Sequence, residues 1–397
     1  MHTASQYAIL LNKDNKWIAP RHPKQMSRAS CPNIESDQAE VSALIREIAS
    51  VCAFHGAQWH TDLSIRIADG SFSLHAKPES RGTLLEIPKS LLIKVNMITW
   101  SEESSTIAAD TSCLPSAQRD LANLMIEAYN RTNKLSQWKI NHLGDELRSN
   151  RILTSWLRPL KPLQCQHLLP QNNLSSFLGS RCYGWQEEAN HNMITPALMP
   201  LIDLVNNHHA GASFISSTQT LSLEVSQMES GNECFANYGY GRDPLDLLLH
   251  YSYFDKQNPY AHSAGLRFEV PELGRIHVQS ENSTLRHKQR NKPGARWQQD
   301  MLKISPLLLD SNNPLQTKTL LNLALQSCLI SRGHNASTSK RHSRIIIQAI
   351  LDENLRLLSR LEETSKDLRK ELHRESLSRA IDLTQKTLKT CLSTTSP

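Results

Sequence analysis

Between Leu63 and Ile87 the chain changes hydrophobic period in a way that leaves few folds open. Leu63, Ile65 and Ile67 alternate with polar residues, Asp69-Gly70 follows, and Phe72, Leu74 and Ala76 resume the alternation. Arg81-Gly82 then precedes Leu84 to Ile87, a run ended by Pro88. A period of two puts every second side chain on one face, and Asp-Gly is a tight-turn pair, so these runs predict a small antiparallel sheet of three short strands. Upstream the period lengthens. Val41, Leu44, Ile45, Ile48 and Val51 or Cys52 fall at helical spacing from Gln38 to about Phe54, with Asp37 placed to cap the start and Gly56 to mark the stop.

Residues 1 to about 36 keep no steady period and contain Pro20, Pro23 and Pro32, which predicts an irregular extension. Leu121, Leu124, Met125 and Ala128 predict a helix over Ser116 to Tyr129. Residues 134 to 164 read as helical or looped, broken by Pro159 and Pro162, and Leu174 to Leu178 opens another helix. Strand character returns at Ser213 to Ile215, Leu221 to Val225 and Cys234 to Ala236, with Gly231-Asn232 as the last turn. Beyond Pro259, Leu266 to Val270 and Ile276 to Val278 read as a hairpin. Three long helical segments follow over Leu315 to Ser331, His342 to Leu361 and Leu368 to Leu392. Ile346, Ile350, Leu357 and Leu361 recur along one face of the second, as in an ordinary helical bundle.

Composition excludes several classes. The chain has 397 residues, enough for two or three domains, and is 39% apolar. It has no apolar run long enough to span a membrane, and its start lacks the charged-then-apolar order of a signal peptide, so a cytoplasmic or nuclear home is expected. None of the eight cysteines lies near another, which argues for free thiols rather than a zinc cluster. Adjacent His208 and His209 have no matching third ligand, so no metal is expected. The net charge of +6 gathers in Arg286, His287, Lys288, Arg290, Lys292 and Arg296, and again in Lys340, Arg341 and Arg344. These read as solvated loops or as contacts for an acidic partner. With no Gly-rich phosphate loop and no aromatic-basic ladder, nucleic acid is not the expected partner, and a monomer is favoured.

The segment from Ser180 to Phe254 carries the chemistry. Ser180-Arg181 comes first, then Leu198-Met199-Pro200-Leu201-Ile202-Asp203-Leu204-Val205-Asn206-Asn207-His208. Next comes Gly231-Asn232-Glu233-Cys234-Phe235-Ala236-Asn237-Tyr238-Gly239, and last Leu247-Leu248-Leu249-His250-Tyr251-Ser252-Tyr253-Phe254. In order and spacing this resembles the SET-domain methyltransferase branch that includes plant Rubisco large-subunit lysine methyltransferase and the actin-histidine methyltransferase. That branch shows "PLxDLxNH", "GEExFxxYG" and "LLxxYGF". Leu84-Leu85-Glu86-Ile87-Pro88-Lys89-Ser90-Leu91-Leu92 is similar to its "LxxIPxxLL" segment. The resemblance implies an α+β SET fold of small antiparallel sheets over residues 38–258, with a helical insert at about 107–179. A mostly helical C-terminal domain over 259–397 would help to hold a protein substrate.

It further implies S-adenosylmethionine (SAM) as cofactor and transfer of its methyl group to a lysine, less often a histidine, of a protein. Tyr238 matches the active-site tyrosine, Arg181 the cation for the SAM carboxylate, Asn206 and Asn207 the asparagine turn beside the cofactor, and Tyr251 and Tyr253 the aromatics of the substrate channel. Asp203 is expected to buttress this segment. Four positions, in three motifs, depart from the pattern. Ser71 and Ser73 stand where the family's "GxGL" turn has glycines against SAM, so two added side chains would reshape the pocket. Asn207 replaces the motif histidine, and Ser252 replaces the glycine of "YGF". A second reading therefore stays open: a SET fold that keeps a SAM-type pocket but binds without catalysis or serves small-molecule chemistry.

Overall fold

The computed structural model describes residues 26–27, 31–162, 165, 171–186, 194–226, 232–280 and 293–393. Most of the expected N-terminal extension, the turn residue Gly231 and the basic residues Arg286, His287, Lys288, Arg290 and Lys292 lie outside them. The architecture is α+β, small sheets interleaved with helices and closed by three long C-terminal helices.

The first two alternating runs form a hairpin, Ser64–Ala68 with Ser71–His75, in the register Ile67 to Phe72 and Ile65 to Leu74. Asp69 and Gly70 both take positive φ (51° and 70°), the left-handed pair that a two-residue hairpin turn requires. A Cβ on Gly70 would also lie 3.1 Å from the Thr132 carbonyl oxygen, so glycine lets the hairpin tip approach the end of the helix Ser116–Arg131. The third run does not join this hairpin. Thr83–Pro88 lies in a separate five-stranded sheet, between Gln58–His60 and Thr220–Glu224. Alternation told which face of that strand is buried and could not tell its partner.

The hairpin's own sheet continues through Glu233–Ala236 to Asn206–Ala212, the two running parallel with Asn206 opposite Phe235 and Asn207 opposite Ala236. A bulge between Asn207 and Ala212 throws His208 to Gly211 out of register. A third sheet joins Cys182–Gln186, Ile194–Leu198 and Ile93–Lys94.

The first long helix spans Ala39–Phe54, as its spacing predicts, but Asp37 does not cap it. The cap position is Gln38, whose N–H donates to Ser36 Oγ at 2.9 Å; the Asp37 carboxylate instead accepts from the Asp69 N–H at 3.4 Å. One residue too early to reach the free N–H groups of the first turn, Asp37 ties the helix entry to the hairpin turn.

Two hydrophobic cores divide the chain. Ile45, Ile65, Leu74, Leu85, Ile202, Leu221 and Cys234 belong to the first. The second gathers Ile276, Leu302, Ile350, Leu358 and Ile381 together with Leu143, Leu147, Leu153, Leu157 and Leu160. The helices Gly144–Ser149 and Arg151–Leu160 thus pack with the C-terminal helices Pro314–Ser331, Ala336–Ser365 and Glu371–Leu392. Glu146 fastens that arrangement. Its buried carboxylate accepts from the Arg369 and Lys370 N–H groups (2.9 and 3.2 Å) and pairs with His373 Nδ1 (2.7 Å), serving the exposed backbone donors at the start of the last helix. Ahead of those helices the predicted hairpin Leu266–Val270 with Gly274–Val278 is present, but it belongs to a four-stranded sheet completed by Met301–Ile304 and Ala295–Gln298. No helix among the described residues is long and apolar enough to cross a membrane. All eight cysteines are free.

Candidate functional site

The short helix Pro244–Tyr251 bridges the two cores. Asp243 caps it, accepting from the Asp246 N–H at 2.9 Å while Asp246 accepts in return from the Asp243 N–H at 3.3 Å. Leu245, Leu248 and Leu249 enter the second core, and Tyr251 at the end of the helix packs its ring 5.0 Å from that of Tyr238. This junction opens as a cleft of about 1040 Å³, with Arg181, Asp203, Asn206, Asn207, Tyr238, Tyr251 and Tyr253 among its walls.

Parallel pairing explains the convergence. Asn206 and Asn207 start one strand just where Phe235 and Ala236 end the other, so the asparagines and Tyr238 emerge on the same side. The two segments then lock together. The Tyr238 N–H donates to Asn207 Oδ1 at 2.7 Å, its hydroxyl donates to the Val205 carbonyl, and Asn237 Nδ2 donates to the His209 carbonyl at 2.7 Å. Asn207 Nδ2 donates to the Tyr253 hydroxyl at 2.6 Å, which donates back to the Asn207 carbonyl at 2.9 Å. Asn206 Nδ2 donates to the Phe72 carbonyl (3.2 Å) and to Glu233 Oε1 (2.8 Å).

Aromatic rings run along one wall. Tyr183 meets Phe214 edge-on at 6.2 Å, Phe214 stacks on Tyr238 at 6.3 Å, and the Arg242 guanidinium lies 5.3 Å from the Tyr251 ring centre. Burial raises the pKa of Tyr238, and likewise of Tyr251 and Tyr253. Each phenol therefore stays protonated at neutral pH.

At another part of the cleft Arg181 sits over the rings of Phe177 (4.8 Å) and Tyr129 (5.2 Å), with a terminal nitrogen 3.6 Å from Asp203 Oδ2. Its Nε is buried and has no hydrogen-bond partner among the described residues. Asp203 is buried, accepts a hydrogen bond from the Tyr129 hydroxyl, and is pushed up in pKa by burial despite Arg181. That places Asp203 as a brace within the cleft wall.

Ser71 and Ser73 are not brought into the cleft. Ser71 is exposed, and the Ser73 hydroxyl pairs with His75 Nε2 at 2.8 Å; the intervening Phe72 lines the cleft instead. Lys134, Trp138, Phe214, Glu233 and Arg242 also line it without having been singled out by sequence. Glu233 and Arg242 flank the Tyr238 motif and could have been found from it; Lys134, far upstream, carried no such signal.

The expectation that His208 and His209 lack a third partner is corrected. Asp255 Oδ2 lies 2.6 Å from His209 Nδ1 and 3.5 Å from His208 Nε2. His208 Nδ1 accepts the Ala210 N–H at 3.1 Å, which in a neutral ring leaves the hydrogen on Nε2. The two histidines are thus set as donors around one carboxylate; against its burial, His209, the Gln257 N–H (2.8 Å) and His208 hold the Asp255 pKa down at about 2.

Two solved structures resemble this chain in overall course. One is the SET domain of LSMT bound to lysine and AdoHcy, at 12% identity over 88% of this chain and 90% of that one, with a TM-score of 0.39. The other is Rubisco LSMT bound to sinefungin and monomethyllysine, at 12% identity over 87% and 90%, with a TM-score of 0.37. No family model matches the chain, and no curated protein matches it.

Proposed function

We propose that this chain is a SAM-dependent N-methyltransferase that modifies a lysine, or less often a histidine, of a protein. The observation that carries the reading is the meeting of Arg181, Asn206, Asn207, Tyr238, Tyr251 and Tyr253 in one cleft, although they come from separate segments. The serines at the family's glycine positions, which would have argued for a reshaped pocket, lie outside that cleft.

The walls suit the cofactor. The buried, unpartnered Nε of Arg181 is a donor waiting for an acceptor, and a guanidinium can pair with the carboxylate of SAM. Beyond the hydrogen bonds they make to the protein, Asn207 keeps a second amide N–H and Asn206 its amide oxygen, so the pair offers a donor and an acceptor to an amino-acid end. When bound, SAM supplies a methyl group on a sulfonium to a nucleophile in line with it.

The protein's own part is positioning. Because its phenol stays protonated, Tyr238 cannot take the proton from an incoming ammonium, and the amine must arrive at the hydroxyl already neutral. The hydroxyl hydrogen is held by the Val205 carbonyl, which leaves oxygen lone pairs free for weak C–H···O contacts with a polarised methyl group. The rings of Phe214, Tyr238 and Tyr251 offer apolar faces to an alkyl chain and negative faces to a cationic head.

Calorimetric titration with SAM tests the pocket, and transfer of labelled methyl from SAM to lysate proteins tests the reaction. Binding together with labelling that Tyr238→Phe greatly reduces is the expected outcome. A chain that does not bind SAM, or a variant that labels as well as the wild type, refutes the assignment.

A further inference from the structure

We infer that Lys134 is a second cation on the Arg181 side of the cleft, joining Arg181 to grip the carboxylate of the bound cofactor and to set selectivity for ligands that carry one. The inference rests on the proposed SAM reading and adds a residue to it.

The placement follows from the fold. Lys134 opens the helix Lys134–Asn141, directly after the close approach between Gly70 and Thr132. That approach brings the hairpin under the lysine, whose ammonium lies 5.1 Å from the Phe72 ring centre. Phe72, Lys134 and Arg181 all line the same cleft.

The charges there do not balance. Lys134 makes no hydrogen bond or ion pair to any described residue, Arg181 leaves its buried Nε unpartnered, and both act on the single carboxylate of Asp203. Asp203 is in turn occupied by the Tyr129 hydroxyl and by Arg181. The other acid of the cleft, Glu233, is engaged by Asn206. Two half-buried cations that share one engaged carboxylate repel each other unless a ligand brings a negative group. A monocarboxylate satisfies that requirement, and an adenosine thioether without the amino-acid end does not. Burial and the Arg181 charge hold the Lys134 pKa down to about 8, in keeping with a cation awaiting its counter-ion.

The test compares two ligands on the full-length protein by calorimetry: SAM, and 5′-methylthioadenosine, which keeps the nucleoside and lacks the amino-acid end, its carboxylate and ammonium alike, and the sulfonium charge; of these only loss of the carboxylate removes an attraction to a lysine. Lys134→Met should weaken SAM binding ~10-fold or more, the worth of one charge-assisted contact, and leave methylthioadenosine unchanged. Lys134→Arg should restore most of the SAM affinity. Unchanged methylthioadenosine binding also reports that the variant cleft is folded. If Lys134→Met binds SAM as the wild type does, or weakens both ligands equally, Lys134 has no such role while the SAM reading stands. A wild-type protein that binds neither ligand overturns both.

Discussion

Replacing Lys161 by methionine should cost this protein about 3–5 kcal/mol at neutral pH, the range for stripping the counter-ion from a buried ion pair. Lys161 follows the helix Arg151–Leu160, with its side chain 2% exposed. Its ammonium contacts Asp243 Oδ2 and lies 3.1 Å from Asp246 Oδ1, and the two carboxylates are 0% and 3% exposed. Asp243 also accepts the His262 N–H at 3.1 Å while capping the bridging helix, so the cluster ties three segments together. Burial and the neighbouring Asp246 raise the Asp243 pKa. Asp246 is also penalised by burial, but Lys161, His262 and Arg242 outweigh that and hold its pKa down. Without the ammonium, two carboxylates would share a dry site, and the folded-state pKa of Asp243 would climb further above its unfolded value. A carboxyl raised in the folded state is penalised above its folded pKa and relieved as pH falls through it. The stability gap between variant and wild type should therefore be widest near pH 7 and close as pH approaches the ordinary carboxylate value of about 4. Urea unfolding followed by tryptophan fluorescence, repeated across that pH range, measures both effects. A loss below about 1 kcal/mol, or a gap that does not change with pH, would show that the ammonium does not hold these acids and would refute the argument.

If Tyr238 has the proposed role, Tyr238→Phe should lower methyl transfer on the order of 100-fold with SAM affinity nearly unchanged, since the hydroxyl would position the reacting groups without holding the cofactor; single-turnover kinetics beside calorimetry separates the two. Arg181→Ala should weaken SAM binding by roughly 1.5–3 kcal/mol, about 10- to 150-fold, measured by the same calorimetry. SAM affinity should fall as pH rises past about 8, where Lys134, its pKa lowered by burial and by Arg181, loses its charge. A bound carboxylate would move that transition upward, and the part of the slope due to Lys134 should be missing from Lys134→Met. Glu146→Ala removes the acceptor for two backbone N–H groups at the last helix and should cost about 1–2 kcal/mol in thermal or urea unfolding.

What could be read from the sequence was what short-range pattern controls. The hairpin Ser64–His75 declared itself because alternation and an Asp-Gly turn lie within a dozen residues, and the C-terminal helices because their apolar stripes repeat over many turns. The strand Asn206–Ala212 has almost no apolar alternation. It is a strand because Glu233–Ala236 runs beside it, and that pairing comes from a distant part of the chain. Thr83–Pro88 shows the same limit, since its pattern was plain and its partner, Thr220–Glu224, was not. The site divides along the same line. Arg181, Asn206, Asn207 and Tyr238 stand in motifs whose order could be matched, and all four line the cleft. Ser71 and Ser73 were carried over by position alone; strand alternation turned them away from the cleft and set Phe72 into it. Lys134 belongs to no motif. Its place depends on a glycine turn that lets a hairpin touch the end of a helix, so its role is legible only once Gly70, Thr132 and Phe72 are seen together. A residue whose chemistry is set by a neighbour far along the chain leaves no local trace, and the charge balance of the folded cleft is the place to look for it.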